Sequence, residues 1–587
     1  MFFNSLESIA DNKSFTSFFN ANRYAILKNL YEEDKKKTTL PIKIQILEEN
    51  VYKNKVDLLE QIKKLDCKKE HTEYYESLLS LLLSNSLDEG GFQQGLEKIN
   101  ERSCIQKKNG VYYTPEDVSS FILTNSVRLV LEDDICGLKT ETEFLLESHI
   151  FNNKTCNIKD QIIKYTILDP TCGTGAFLIK AFDFKVSLIE KVCGCLSDTD
   201  IIKIVGSLFG NDIDSFSTYI TQTRLLFKAI NLSRSIDVPK LLNTLLHNFY
   251  NYDFLCDYQK INRKFDFIIG NPPYVEKSQL SGTVKSKYGN IYADVIDNSF
   301  SLLKDKGVMG YIIPISYIST PRFSELRAVV QKNTSKEYVL SYADRPDCLF
   351  VGVHQKLNIL IAQKCKSNEH TTYTSDYDYW YTSERSRLFL DTSFIKNSFV
   401  TDAFYPKIGT ACEEQIYRKI LQQPLNILDR MCGNTKVYLN MRATFWIKSF
   451  IDIPYKSNEY KELCFDELTA HFVNVILNSS LFWWFWVKVS DCWHITRKEL
   501  SLFKIPLLSK EELEMSKELS LKINRALEST KERVDTKQTL FEYKHKKCKS
   551  IIDELDDFLA QLYGLSENEL KYIKSYKEQY RLGMGSS

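Results

Sequence analysis

The chain has 587 residues, 43% hydrophobic and 26% charged, a globular composition in a chain too long for one ordinary domain. Its net charge of +1 excludes a polycation that coats nucleic acid, so any contact with phosphates must come from a local patch. No apolar run reaches transmembrane length, no secretory leader pattern opens the sequence, and the 15 cysteines form no paired CxxC cluster; reduced cytoplasmic thiols are expected, and no metal site.

Residues 1 to about 105 read as helical, with Ser77 to Leu83 apolar on most sides and expected to lie between helices. Glu33-Asp34-Lys35 and Asp66-Cys67-Lys68 fit the minimal acid-x-Lys pattern of metal nucleases, but in helical, charge-rich sequence such triplets arise by chance. A helix is expected from Pro115 to about Leu131, with Thr114 as a good N-cap and Pro115 as a good first residue. Tyr113 and Thr114 ahead of that helix start can also line a ligand pocket, although the segment taken alone favours an ordinary capped helix.

Tyr165 to Leu178 reads as strand, glycine-rich turn, then helix, with Asp169-Pro170-Thr171-Cys172-Gly173-Thr174-Gly175 at its centre. Gly173 and Gly175 let the backbone come close to a ligand. The third glycine of dinucleotide folds is missing and no GK[ST] follows, so the turn suits a cofactor with a nucleoside and an amino-acid tail but no phosphate. Cys172 is expected there for its small size, not as a nucleophile. Asp212 follows a second short apolar run, where open α/β sheets bind a ribose diol. Asp214 is expected to cap the next helix. Asp253 ends a third such run; it could accept the amino group of the cofactor's adenine while Phe254 packs on the ring.

Phe265 to Gly270 reads as a buried central strand. The two prolines of Asn271-Pro272-Pro273-Tyr274 cannot continue it, so the chain leaves the sheet at the strand's carboxyl end, where such sheets put their chemistry. The Asn271 side-chain oxygen and the Pro272 carbonyl can accept the two N–H groups of an aromatic amine. That frees its lone pair for attack on an electrophilic methyl, and Tyr274 offers a ring face for the base. Gly307 to Pro314 reads as another buried strand and Leu357 to Ala362 as the strand that closes the sheet. Phe350, on the loop between them, is either a second stacking face or a core phenylalanine.

From about 370 the character changes, and the segment 400–508 reads as short strands mixed with loops. Trp483, Trp484, Trp486 and Trp493 are expected in its core; Thr496, Arg497 and Lys498 are candidate phosphate or base contacts. A long polar helix is expected from Ser509 to Lys549, followed by a helical pair containing Leu555, Phe558, Leu559, Leu562 and Leu565.

Taken together, these motifs resemble those of amino-group DNA methyltransferases of the adenine-N6 kind, in which cofactor motifs precede the catalytic motif and target recognition lies C-terminal. The resemblance covers about 105–370 closely and the rest loosely. It implies an α/β fold: a Rossmann-like S-adenosylmethionine-dependent methyltransferase domain at 106–370, an N-terminal helical region at 1–105, an α+β target recognition domain at 371–508 and a C-terminal helical region at 509–587. It also implies S-adenosylmethionine contacts at Tyr113, Thr114, Pro115, Asp169, Thr171, Gly173, Gly175, Asp212, Ile213, Asp253, Phe254 and Asn271, with catalysis by Asn271, Pro272, Pro273 and Tyr274. NPPY in place of SPPY points to adenine N6 over cytosine N4. The implied reaction is site-specific methylation of a flipped adenine in double-stranded DNA, in the cytoplasm, without a metal, beside a separate restriction endonuclease or defence-complex subunit. The alternatives are an RNA or protein-glutamine amino-methyltransferase, a methylating endonuclease in one chain, and a nucleic-acid-binding subunit without turnover.

Overall fold

Ile167–Asp169 (β1), Leu208–Asn211 (β2) and Phe265–Gly270 (β4) are buried nearly throughout, without the in-out alternation of a sheet wetted on one side. That is the mark of central strands covered on both faces. In the computed structural model they lie side by side and parallel: Leu168 is opposite Phe209 on one neighbour and Ile268 on the other. The structure describes residues 114–584 apart from 133–136, 148–157, 234, 280–285, 351–352, 366–368, 453–456 and 535–539. The expected N-terminal helical region, both acid-x-Lys triplets and Gly110 to Tyr113 lie outside the described residues.

The chain divides into two units. The first comprises residues up to Pro314 with Glu325–Val339 and Leu349–Thr371. Its helices are Glu116–Glu132 (α1), Ala176–Cys193 (α2), Ser215–Leu232 (α3) and Ile291–Leu302 (α4), among others. Its sheet runs in the order β3-β2-β1-β4-β5-β7-β6, where β3 is Phe249–Tyr250, β5 Leu303–Pro314, β6 Thr334–Tyr342 and β7 Leu357–Lys364. Strands β1 to β5 are parallel to their neighbours, and β7 is antiparallel to β5. The fold is therefore mixed α/β around a mostly parallel sheet, as expected. One strand is placed differently. Leu357 to Ala362 does not close the sheet; β7 sits between β5 and β6, buried along nearly its whole length. Seven of its eight residues are buried, which an inner position allows and an edge would not.

The second unit comprises Ile315–Ser324, Leu340–Cys348 and the chain from Thr372 on. It contains the antiparallel pair Thr371–Asp378 (β8) and Phe394–Lys396 (β9), helix Ala411–Leu421 (α5) and a three-stranded antiparallel sheet centred on Thr435–Asn440. Three of the four tryptophans lie on a helix and not in strands and loops, whereas Trp493 lies in a loop. Glu467–Asn478 (α6) and Ser480–Val489 (α7) form the core, with Trp483, Trp484 and Trp486 at most 1% exposed; Trp493 is half-buried. No single described helix is long and apolar enough to cross a membrane.

Farther on come Arg497–Leu502 (α8), Lys510–Ser529 (α9), Lys549–Tyr563 (α10) and Glu567–Ser575 (α11). The single helix expected from Ser509 to Lys549 is broken. It stops at Ser529, and Lys531–Arg533 pairs antiparallel with Phe541–Tyr543. Burial of Tyr543, its ring 4.8 Å from that of Phe450, draws the chain back where a continuous helix would carry it away. The described residues from 372 to 584 fall within the second unit.

Candidate active site

Because β3, β2, β1 and β4 are parallel neighbours, their carboxyl ends share one edge of the sheet. Each strand is followed there by one expected site residue: Asp253 beyond β3, Asp212 after β2, Asp169 at the end of β1 and Asn271 after β4. Adjacent strands stand about 4.8 Å apart, so four groups scattered over a hundred residues of sequence form a row.

The glycine-rich turn between β1 and α2 lies across the middle of this row. Thr171 N–H donates to Asp169 Oδ1 at 3.1 Å, Cys172 N–H to the Asn211 carbonyl at 2.8 Å, and Gly173 N–H to Asp212 Oδ2 at 2.8 Å. Gly173 and Gly175 have φ of +50° and +92°, the left-handed region that glycine enters at no steric cost. A Cβ on Gly175 would sit 2.6 Å from the Thr221 methyl, whereas one on Gly173 would meet nothing within 4 Å. The turn is thus tight on the helix side and open at Gly173. Gly270 matters for a different reason: a Cβ there would lie 2.6 Å from Asp169 Oδ1, so a bare backbone lets that carboxyl stand against β4.

Three side chains that carry no motif of their own hold the turn in place. Asn211 donates to the carbonyls of Pro170 and Tyr252 at 3.0 and 3.1 Å and accepts from Tyr252 N–H at 3.0 Å, tying the turn to the loop after β3. Thr221 Oγ1 donates to the Gly173 carbonyl at 2.9 Å, and the Arg224 guanidinium donates to the Thr174 carbonyl. The signal for two of them in the sequence is Thr221-Gln222-Thr223-Arg224, a polar run inside an otherwise apolar helix; all four are at most 4% exposed.

Burial sets the electrostatics. It pushes the Asp212 carboxyl up to about 7, with the charge of Asp214 adding to the shift and the backbone N–H groups opposing it. Burial also raises Asp169 well above the carboxylate range, and Asp253 to a lesser degree. Asp214 caps α3 as expected, accepting from the Ser217 N–H and hydroxyl at 3.1 and 2.7 Å. Ile213, between the two acids, leaves 47% of its surface exposed. Phe254 is buried at 4% exposure and packs on Tyr258, and Thr114 is buried ahead of α1.

In the loop after β4, Asn271, Pro273 and Tyr274 are half-buried and Pro272 is buried. The Tyr274 hydroxyl lies 2.6 Å from Asn271 Oδ1 and 2.9 Å from the Ile312 carbonyl, and the ring meets Tyr292 edge-on at 6.4 Å. Phe350 is only 2% exposed, the placement of a core phenylalanine.

In the second unit the three expected contacts part ways. Thr496 is the N-cap of α8: it accepts from Lys498 N–H at 3.2 Å and its hydroxyl donates to Glu499. Lys498 Nζ donates to the carbonyls of Ser319 and Val489 at 2.8 and 2.9 Å. Both side chains are thereby engaged inside the unit, and of the three only Arg497 presents an exposed charge.

Residues 206–347 match the family profile of the Eco57I restriction-modification methylase, a span that holds Asp212, Asp253 and Asn271 to Tyr274. The type II restriction enzyme and methyltransferase RM.Eco57I of Escherichia coli is 22% identical over 414 residues, covering 56% of this chain and 41% of the relative. The type II methyltransferase M.VspI of Vibrio sp. is 22% identical over 323 residues, covering 53% and 61%. The chain thus spans less than two thirds of the length of these relatives. Among solved structures, the type IIL restriction-modification enzyme MmeI in complex with DNA shares the fold, with a TM-score of 0.50 at 14% identity, over 84% of this chain and 81% of that one. By the family match over residues 206–347 and by these relatives, the chain is similar to methyltransferases of restriction-modification systems.

Proposed function

We propose that the chain is a site-specific DNA methyltransferase that modifies the N6 amine of an adenine flipped out of double-stranded DNA. The observation that carries this reading is the row at the sheet edge, in which Asn271-Pro272-Pro273-Tyr274 follows the strand adjacent to Asp169. The open side of Gly173, the buried carboxyl of Asp212 and the exposed Ile213 fit S-adenosylmethionine: an amino-acid tail near the turn, a ribose diol on Asp212 and an adenine against Ile213. That cofactor supplies a methyl group on a sulfonium, which needs no metal to be transferred.

The chain's own residues hold the amine. The Asn271 side-chain oxygen and the Pro272 carbonyl each accept one N–H, which draws the nitrogen lone pair out of conjugation. The Tyr274 ring supports the extruded base. Rate enhancement comes from positioning and from fixed dipoles in a half-buried site. Arg497 contributes a phosphate contact.

The test is methylation-sensitive single-molecule sequencing of DNA from cells expressing the chain, with Asn271→Ala as the control. Methyladenine confined to one short sequence and absent from the variant is the expected result. An unmarked genome, with labelled cofactor transferred only to RNA or protein fractions, would overturn the substrate assignment.

A further inference from the structure

Thr496 and Lys498 spend their polar atoms inside the second unit, and a net charge of +1 means that phosphates must be met by a local patch. The unit gathers cations at the turn between α7 and α8. Arg345, far upstream in sequence, lays its guanidinium over the ring of Trp493, 5.7 Å from the centroid and within range of a cation–π contact. His494 follows Trp493, and Arg497 opens α8. Arg345, His494 and Arg497 are exposed, and Trp493 is half-buried.

The turn is strained and tied down. Cys492 has a φ of +56°, the left-handed region that is costly for a residue with a Cβ. Its N–H donates to Ser490 Oγ at 2.9 Å. Asp491 Oδ1 accepts from the N–H groups of Trp493 and His494, both at 2.9 Å, and Asp491 Oδ2 meets His494 Nδ1 at 3.1 Å. The turn's own carboxylate is thus committed to holding its shape. The His494 carbonyl accepts from the Trp486 indole at 2.9 Å, and Ile495 N–H donates to the Met441 carbonyl at 2.9 Å.

We propose that Arg345 and Arg497, flanking the Trp493-His494 turn, grip the phosphate backbone of duplex DNA. This deepens the reading of DNA as the substrate and rests on it. A guanidinium steadied on an aromatic ring loses little freedom when it meets a phosphate, and its planar fork matches two phosphate oxygens. The bonded turn is built before any ligand arrives, which lowers the cost of binding. Contacts of this kind fix how the duplex lies and carry no sequence information.

The test is the salt dependence of binding of the full chain to a fluorescent DNA duplex of mixed sequence, read by anisotropy. Each phosphate contact adds about 0.9 to the slope of log affinity against log salt. Arg345→Met keeps an apolar stem on Trp493 and removes the charge. Its slope is expected to fall by about 0.9, and its affinity at about 0.1 M salt to fall a few-fold. Combined with Arg497→Ala, the slope should fall by about 1.8. Arg345→Lys keeps the charge and should keep the slope. An Arg345 that serves only to pack Trp493 would lower the melting temperature of the Met variant and leave its slope unchanged, which overturns the proposal. A Lys variant that loses as much slope as the Met variant overturns it too. In cells expressing the double variant, methyladenine should stay at the same sequence with reduced occupancy. A changed sequence would make these residues base readers and overturn the assignment to phosphates. A wild-type chain that neither binds nor methylates duplex DNA would sink the substrate reading and this surface with it. A wild-type chain that methylates DNA, with slopes unchanged in the variants, sinks the surface alone.

Discussion

Two clusters of carboxyl groups, one in each unit, are treated in opposite ways. In the second unit, Asp376 and Glu413 both pair with the fully buried Lys488, and Asp376 also pairs with Lys577 at 3.1 Å. Burial would raise Asp376, but the two ammonium groups outweigh it and hold the carboxyl at about 2. Tyr572 and Tyr576 add hydroxyl donors to the same acids. At the sheet edge of the first unit, Asp169, Asp212 and Asp253 accept from backbone N–H groups, and burial leaves all three raised. Asp376, with two cations and a hydroxyl donor, is finished as a piece of architecture. A carboxyl that is desolvated and held only by peptide dipoles still has something to gain from a partner, and shifts of this kind gather at functional sites.

The strongest way to break this comparison is at its catalytic end. Asn271→Ala is expected to lower methyl transfer by about a thousandfold or more, the scale of losing a preorganised polar group at the reacting atom, with cofactor affinity nearly intact. Near-normal turnover would remove Asn271 from the chemistry. Lys488→Met tests the architectural end. Leaving two buried acids without their shared cation should cost about 3–5 kcal/mol of stability, seen as a large drop in melting temperature. A small change would mean that the cluster is not a structural knot.

Asp212→Asn should weaken S-adenosylmethionine binding about ten- to a hundredfold by calorimetry, as expected for a hydrogen bond to a charged acceptor, without a matching loss of stability. A sharper version uses pH. The ionised carboxyl is the form that accepts from a diol, and in the folded chain it stands at about 7. Cofactor affinity should therefore rise as pH climbs through 7 and level off above it, and the variant should lose this component. Stability runs the other way. A carboxyl whose folded value lies above its unfolded value of about 4 binds extra protons in the folded state, so its contribution declines as pH rises from about 4 to 7. The smallest effect separates neighbours on α8. Arg497→Ala should weaken DNA binding a few-fold at most, reduce the salt dependence by about one phosphate contact and leave stability within about 0.5 kcal/mol. Lys498→Ala, which strips donors from two carbonyls, should lower the melting temperature instead.

How far the sequence revealed these features depends on how local they are. Asp169, Asp212, Asp253 and Asn271 stand at strand ends punctuated by glycine, proline or asparagine, and a strand followed by a breaker can be read from a dozen residues. Their meeting along one edge needed only the assumption of parallel neighbours. The insertion of β7 between β5 and β6 has no local mark, because a buried strand looks the same whether its partners come before or after it. Thr496 illustrates a different miss: Thr-x-x-Glu from Thr496 to Glu499 is a capping-box pattern, and its polar atoms were committed to the helix before any ligand arrived. The hairpin at Lys531–Tyr543 escaped because its strands are three residues each and are held by the burial of one tyrosine.

The order of strands also bears on how the protein is made. β6 leaves the ribosome before β7, yet β7 is what joins it to β5. Until synthesis passes Lys364, the nascent sheet presents the apolar β5 with its hydrogen-bonding rim open, and β6 has nothing to dock on. Such a rim is a template for pairing with another chain. Fragments that end between Pro314 and Leu357 should therefore aggregate more than fragments that extend past Lys364. A dissection of the first unit has to keep β7 even though every residue of the row lies upstream of it.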